Sequence, residues 1–327
     1  MPTLSVHLLN PPDPAALALL QSCCDPGIQL TSGEPSASAA YEVLVTGRPR
    51  LEHLTASPNL RMLVIPYAGL PAATRDLLQD FPNLAVHNLH HNAALTAEMA
   101  ITLLLAAAKH VIPYDRALRQ NDWRPRYQPS QALCLDGKTA LILGFGQVGQ
   151  RIGRACHALG MQVLALRRRP DQSTPVEYPV QVFDPAMLHQ FLPRAHALMI
   201  ALPATSETEG LLGEQELALL PPAAVLVNVG RGAIVDQSAL YTALASGQLG
   251  AAGLDVWYRY PHNQAGWENT PPADFPFQSL DNVVLSPHRA GASRETESLR
   301  MTHLADLLNA AARGDPVPNR VDVQAGY

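Results

Sequence analysis

The stretch Thr139-Ala140-Leu141-Ile142-Leu143-Gly144-Phe145-Gly146-Gln147-Val148-Gly149 reads as an apolar strand running straight into a Gly-x-Gly-x-x-Gly turn. A helical pattern follows from Gln150 to Leu159, and a second apolar run starts at Gln162. The bare glycine motif is weak, but a strand before it, a helix after it and another strand on schedule make it a dinucleotide-binding fingerprint. Gly144 permits the tight turn, Gly146 lets the backbone approach a pyrophosphate, and Gly149 lets helix and strand pack closely. The helix start, with Gln147 and Val148, offers unpaired N–H groups and a positive dipole end to the phosphates. The competing reading is a glycine-rich turn that binds nothing.

The second strand ends at Leu166, and Arg167-Arg168-Arg169 follow. In an NAD-selective site an acidic residue lies about 20 residues beyond the fingerprint and accepts from the ribose 2′-OH. Here that place holds arginine, whose guanidinium pairs bidentately with a 2′-phosphate. Arg167 and Arg168 therefore favour NADP, with NAD as a second cofactor; Asp171 comes too late to serve as the usual ribose ligand.

Outward from this centre, short runs rich in Val, Ile and Leu recur at Leu4–Leu9, Val43–Val45, Arg61–Ile65, Ala197–Ala201, Ala224–Val229 and Val283–Leu285. Continuous apolar strands of this kind suit a parallel sheet covered on both faces, and their alternation with helical segments predicts an open α/β fold with right-handed crossovers. Two longer helices are expected. One is capped by Thr96 and runs through Ala108, with Pro113 ending or interrupting it; the other covers roughly 294–313. Both flank the strand-rich centre and are candidate bridges between two domains. The segment 121–131 reads as a connection, and 258–278, rich in proline and aromatics, as a long loop.

The 327 residues allow about two domains. With 47% hydrophobic and 16% charged residues, the chain can bury sizeable cores. A net charge of −5 without a basic block argues against nucleic acid. The longest apolar stretches fall far short of the ~20 residues that span a bilayer, and the N-terminus lacks the pattern of a secretory leader. A cytoplasmic protein with no membrane partner is expected. Cys23, Cys24, Cys134 and Cys156 match neither a metal spacing nor a disulfide framework. They read as reduced structural thiols, and no metal is expected.

Downstream, the run Val225–Asp236 is a strand ending in the glycine-flanked Arg231. Gly253-Leu254-Asp255-Val256 and Leu285-Ser286-Pro287-His288 come later, while Thr96-Ala97-Glu98-Met99 and Ala201-Leu202-Pro203 come before. In this order the motifs resemble the D-isomer-specific 2-hydroxyacid dehydrogenase family over at least Asn92 to about Leu308. The fold class expected is α/β: a Rossmann-type doubly wound parallel sheet with a second, discontinuous flavodoxin-like α/β substrate domain. Residues 1–100 and 290–327 would form the substrate-binding domain and residues 101–289 the dinucleotide-binding domain, a split that suits hinge closure.

The implied reaction transfers a hydride between NADP(H), or NAD(H), and a small 2-oxo acid/D-2-hydroxy acid pair such as glyoxylate or hydroxypyruvate. Arg231 offers a planar fork of donors to a carboxylate and the adjacent carbonyl, and His288 exchanges a proton with the oxygen. By the resemblance, Asp255 helps to orient the nicotinamide and N–H groups of the Ala68-Gly69 turn hold the substrate carboxylate. Leu202, Pro203, Val229 and Gly230 complete the cofactor site, and a homodimer through the nucleotide domain is implied. Within the family, formate or phosphite as the donor is the alternative; outside it, a nucleotide-sensing binding protein with weak turnover.

One position departs from the family pattern. The glutamate that there follows the Asp-Val pair and hydrogen-bonds the histidine is replaced by Tyr260. Either Glu268 folds back and restores the carboxylate, or Tyr260 leaves the histidine without a charged partner and lowers its pKa. His90 and His91 precede Asn92 and read either as pocket-lining or as polar junction residues. Trp257, Tyr258 and Trp267 either wall a substrate or pack the long loop.

Overall fold

The computed structural model describes residues 3–36, 39–172 and 176–326. In chain order the first elements are β1 (Leu4–Leu8), α1 (Pro14–Cys23), β2 (Ile28–Ser32), β3 (Val43–Val45), α2 (Leu51–Thr55), β4 (Met62–Ile65), α3 (Ala72–Leu78) and β5 (Ala85–Asn88). Next come α4 (Ala93–Ala108), α5 (Val111–Arg119), α6 (Arg124–Tyr127), β6 (Thr139–Leu143), α7 (Gln147–Ala158), β7 (Gln162–Leu166) and β8 (Gln181–Phe183). The chain closes with α8 (Leu188–Phe191), β9 (Ala197–Ile200), α9 (Glu214–Ala218), β10 (Val225–Asn228), α10 (Gln237–Ala245), β11 (Ala251–Leu254), β12 (Val283–Leu285) and α11 (Thr296–Arg313). The chain divides into two compact units, Met1–Asn92 with Ala292–Tyr327, and Ala93–Gly291.

In the first unit five parallel strands stand in the order β2-β1-β3-β4-β5, the flavodoxin-like arrangement. Alternation sends Val43, Val45, Met62 and Val64 into a core shared with α11, and Leu44, Leu63 and Ile65 into a core on the other face. Residues 319–321 pair back onto β5, where Val321 N–H donates to Val86 O at 2.8 Å.

In the second unit seven parallel strands stand in the order β12-β11-β10-β9-β6-β7-β8. Renumbered from β6, the order is that of a doubly wound dinucleotide-binding sheet with one more strand on the β11 side. Leu141 and Leu143 face one core, Ala140 and Ile142 the other, so both sides are covered and the strand reads as unbroken apolar sequence. The architecture is the α/β class expected.

Some local expectations are corrected. Thr96 does not cap α4, which starts at Ala93; the residues before it already wind as helix, and Thr96 is buried at the end of its first turn. The break after α4 lies at His110, in the left-handed region at φ 51, and not at Pro113. Pro113 falls in the first turn of α5, where its missing N–H has no intrahelical partner to lose. The final helix starts at Thr296. No single helix among the described residues is long and apolar enough to cross a membrane.

Candidate active site

All seven strands of the second unit end on the same side, and the motif residues sit on those carboxyl ends. At β6, Gly144 has φ 92, and a Cβ there would lie 2.7 Å from Ala201 O. A Cβ on Gly149 would overlap Gly144 O, so helix and turn close up only with glycine at that position. Gly146 caps α7 without a side-chain hydrogen bond, and a Cβ on it would meet nothing within 4 Å. The helix start carrying Gln147 and Val148 is thus open to an anion.

Gly144 N–H donates to Leu166 O at 3.1 Å, which brings the end of β7 beside the fingerprint. There Arg167 buries one guanidinium nitrogen, Nη1, with no hydrogen-bond partner among the described residues. An unmet buried charged donor is costly, and an oxyanion would satisfy it. Arg168 is more exposed, its Nη1 4.0 Å from a Glu207 carboxylate oxygen. These residues fit a phosphorylated dinucleotide. Leu202 and Pro203 leave β9 against the exit of β10: a Cβ on Gly230 would lie 2.6 Å from Leu202 O, and Val229 N–H donates to Ile200 O at 3.1 Å.

Arg231 follows directly. The Asn228 side chain staples its turn, accepting from Gly230 N–H at 3.0 Å and donating to Arg231 O at 2.9 Å. Gly232, on the other flank, packs so closely under Trp257 that a Cβ would overlap the Trp257 carbonyl. The arginine is therefore held on a turn that two neighbouring backbones clamp, with its side chain exposed.

His288 sits in the left-handed region at φ 56. Asp255, fully buried at the end of β11, holds it there from behind. The Asp255 carboxylate accepts from Ser286 Oγ, from Arg289 N–H at 2.8 Å and from Ala290 N–H at 3.0 Å, and so brackets the histidine on both sides. Trp257 Nε1 donates to Ser286 O at 2.8 Å and adds a third tie. Partial burial lowers the His288 pKa below its ordinary value, the Arg231 charge lowers it further, and Asp255 opposes both.

The Tyr260 ring stands 5.5 Å from the His288 ring, centroid to centroid, inclined at 53°. Its hydroxyl accepts from Trp257 N–H at 3.0 Å. Glu268 is exposed and, among the described residues, makes no hydrogen bond or ion pair with His288. Of the two arrangements expected, the structure thus has tyrosine beside the histidine, and Glu268, past the 3₁₀ turn at Gln264–Gly266, is solvent-exposed. Trp257 is buried against Phe277 and Tyr258 donates to Val235 O at 2.8 Å, so both pack the loop, whereas Trp267 is exposed.

In the first unit, Ala68 and Gly69 lie in the turn after β4, with Gly69 at φ 89. His91 is buried with Nδ1 unpartnered among the described residues, and burial, with Arg300 second, pushes its pKa down to about 4.

Residues 101–290 match the model of the NAD-binding domain of the D-isomer-specific 2-hydroxyacid dehydrogenases. The chain belongs to the D-isomer-specific 2-hydroxyacid dehydrogenase family. A glyoxylate reductase of Korarchaeum cryptofilum is 37% identical over 233 residues, 69% of this chain and 65% of that protein. One from Aeropyrum pernix is 35% identical over 311 residues, 90% of this chain and 85% of that protein. The alignments thus span from just under two thirds to most of the length of these two relatives. A D-isomer-specific 2-hydroxyacid dehydrogenase from Xanthobacter autotrophicus Py2, solved with NADPH and MES, superposes with a TM-score of 0.79. At 24% identity, covering 99% of this chain and 100% of that one, it supports the fold.

In this member of the family, further residues at the site are supports. Asn228 and Ser286 lie inside the motifs that carry Arg231 and His288, and a polar residue in an otherwise apolar strand end was the available signal. The Trp257 tie spans 29 positions and had no such signal.

Proposed function

We propose that the protein interconverts a small 2-oxo acid and its D-2-hydroxy acid with NADP(H) as the preferred cofactor and NAD(H) as the second, glyoxylate and hydroxypyruvate being the first substrates to test. The observation that carries this reading is the placement of Arg231 after β10 and His288 after β12 at the same edge of the sheet, with Asp255 at the end of β11 between them, its carboxylate gripping the backbone around the histidine. The names of the two relatives favour glyoxylate.

The cofactor, when bound, supplies the hydride in reduction and accepts it in oxidation. Arg231 binds the substrate carboxylate and stabilises negative charge growing on the carbonyl oxygen. Protonated His288 delivers a proton to that oxygen, and in the reverse direction the neutral ring takes the hydroxyl proton. Asp255 is a positioning residue that acts through the 286–290 backbone, and Tyr260 flanks the ring in place of a carboxylate. Gly144, Gly146, Gln147, Val148 and Gly149 receive the pyrophosphate, Arg167 and Arg168 the 2′-phosphate, and Leu202, Pro203, Val229 and Gly230 border the cofactor. The unit 93–291 is the dinucleotide-binding domain, and the other unit is the substrate-binding domain, with the Ala68-Gly69 N–H groups taking the carboxylate.

We place the enzyme in the cytoplasm as a homodimer. Four free thiols support the first assignment. The second is supported by α5, a nine-residue helix with no buried residue, which exposes Val111, Tyr114 and Leu118. So short a helix is marginal in water without packing.

The test is NADPH consumption with a panel of 2-oxo acids, alongside NADP⁺ reduction with formate and phosphite. Turnover of 2-oxo acids is expected. Oxidation of formate or phosphite alone, or tight NADPH binding without turnover, contradicts the reading.

A further inference from the structure

Within the first unit, β3 and β4 are parallel neighbours, with Val45 in register with Val64. The loops that follow them therefore emerge side by side at the carboxyl edge of the sheet, the edge at which open α/β folds take their ligands. The loop after β3 carries Gly47 and Arg48; the loop after β4 carries Tyr67 immediately before Ala68 and Gly69. The Tyr67 hydroxyl lies against the Gly47 backbone so tightly that a Cβ on residue 47 would overlap it. Gly47 is itself fixed, since its carbonyl accepts from the buried Thr74 Oγ at 2.8 Å.

Arg48 is exposed, and among the described residues it forms no ion pair. The Arg50 guanidinium is 3.4 Å from Glu34 and 2.6 Å from Glu52, so its charge is already met. Arg48 meets no carboxylate among the described residues and instead donates a hydrogen bond to the half-buried Tyr67 hydroxyl, whose pKa burial raises and Arg48 pulls back down. An exposed cation and a neutral hydroxyl donor, the hydroxyl held against Gly47, thus adjoin the turn proposed to hold the substrate's first carboxylate.

We infer that Arg48 and Tyr67 form a specificity site for a second carboxylate on the substrate, so that the enzyme takes 2-oxo diacids. This rests on the dehydrogenase reading of the Ala68-Gly69 turn. One guanidinium supplies a bidentate fork for one planar, singly charged carboxylate, and the Tyr67 O–H adds a further donor. A phosphate dianion would leave a charge unmatched. The reaction is unchanged: hydride from NADPH forms the C–H bond at C2, the carbonyl π bond opens, and the oxygen takes a proton from His288. The products are a 2-hydroxy diacid and NADP⁺.

The test compares oxaloacetate with 2-oxobutyrate, which has the same carbon count but lacks the second carboxylate, using NADPH and the full chain. Wild type is expected to show the higher kcat/KM for oxaloacetate. In Arg48→Gln the ratio of the two kcat/KM values should fall about 10- to 100-fold, the scale of one lost charge-assisted hydrogen bond, with the change carried by KM for oxaloacetate. Arg48→Lys should recover part of the ratio, and Tyr67→Phe should lower it by a smaller factor. An unchanged ratio in Arg48→Gln overturns the inference while leaving the dehydrogenase reading intact. A larger Arg48 dependence with a phosphorylated 2-oxo acid than with oxaloacetate overturns the carboxylate assignment. If wild type consumes NADPH with no 2-oxo acid at all, glyoxylate included, the dehydrogenase reading fails and this inference with it.

Discussion

Tyr260 and His288 face each other with ring centroids 5.5 Å apart, and the tyrosine hydroxyl is taken up by Trp257 N–H. A phenol in that place orients an imidazole but brings no negative charge to stabilise the imidazolium. The nearest carboxylate, Asp255, is committed to backbone N–H groups and the Ser286 hydroxyl behind the histidine.

A pH dependence follows from this pair. Burial and the Arg231 charge hold the His288 pKa below its ordinary 6.5. Reduction needs the protonated ring, so kcat/KM for the 2-oxo acid should decline as pH rises through a value under 6.5, while oxidation gains over the same interval. Tyr260→Glu places a carboxylate beside the ring and should move this limb upward by about one unit or more. Profiles of wild type and variant that coincide would show that residue 260 does not set the ring's charge.

Asp255→Asn tests the positioning role. The amide keeps one acceptor but turns an NH₂ towards groups that donate, leaving at least one buried hydrogen bond unmet. A stability loss of about 1–3 kcal/mol is expected in urea unfolding. The kcat should fall at least tenfold, more than KM for NADPH rises. A kcat within twofold of wild type would remove Asp255 from the account.

Arg167 presents a buried donor that meets no acceptor among the described residues. Arg167→Ser should raise KM for NADPH about 10- to 100-fold and leave KM for NADH within a few-fold, since one charge-assisted pair to a phosphate is lost. The check is the ratio of kcat/KM for the two cofactors. An unaltered ratio would assign the preference to another residue.

His91 predicts an acid weakness of the fold. Its pKa is about 4 in the folded chain against 6.5 when free, chiefly because it is buried. Above pH 6.5 neither state binds the proton. Between 6.5 and about 4 the unfolded chain binds it and the folded one does not, so stability falls as pH drops, by up to about 3 kcal/mol for the full shift. Urea midpoints between pH 7 and 4.5 should decline less steeply in His91→Gln than in wild type; parallel declines would place the titrating group elsewhere.

The sequence carried most of this architecture because central strands buried on both faces read as unbroken apolar runs, as in Thr139–Leu143 and Val225–Asn228. It hid the strands that lack such runs. The strand β2 is an edge with polar Gln29, Thr31 and Ser32, and β8 is a three-residue edge. The strand β11 is Ala-Ala-Gly-Leu because α4 crosses it so closely that a Cβ on Gly253 would lie 2.7 Å from Leu103 Cβ. At the site, Arg231, His288 and Asp255 were legible from motif order. What stands beside the histidine was not, because the loop from 258 to 278 decides whether Glu268 or Tyr260 comes near, and its path depends on long-range ties such as Tyr258 to Val235.

The most direct measurement is NADPH oxidation with glyoxylate by wild type, Arg231→Ala and His288→Ala, each shown to be folded and to bind NADPH. With the guanidinium and the imidazole as the working groups, both variants lose at least a hundredfold in kcat/KM, and His288→Ala also loses the pH limb below 6.5. Either variant turning glyoxylate over at the wild-type rate would contradict the chemistry assigned to these two side chains.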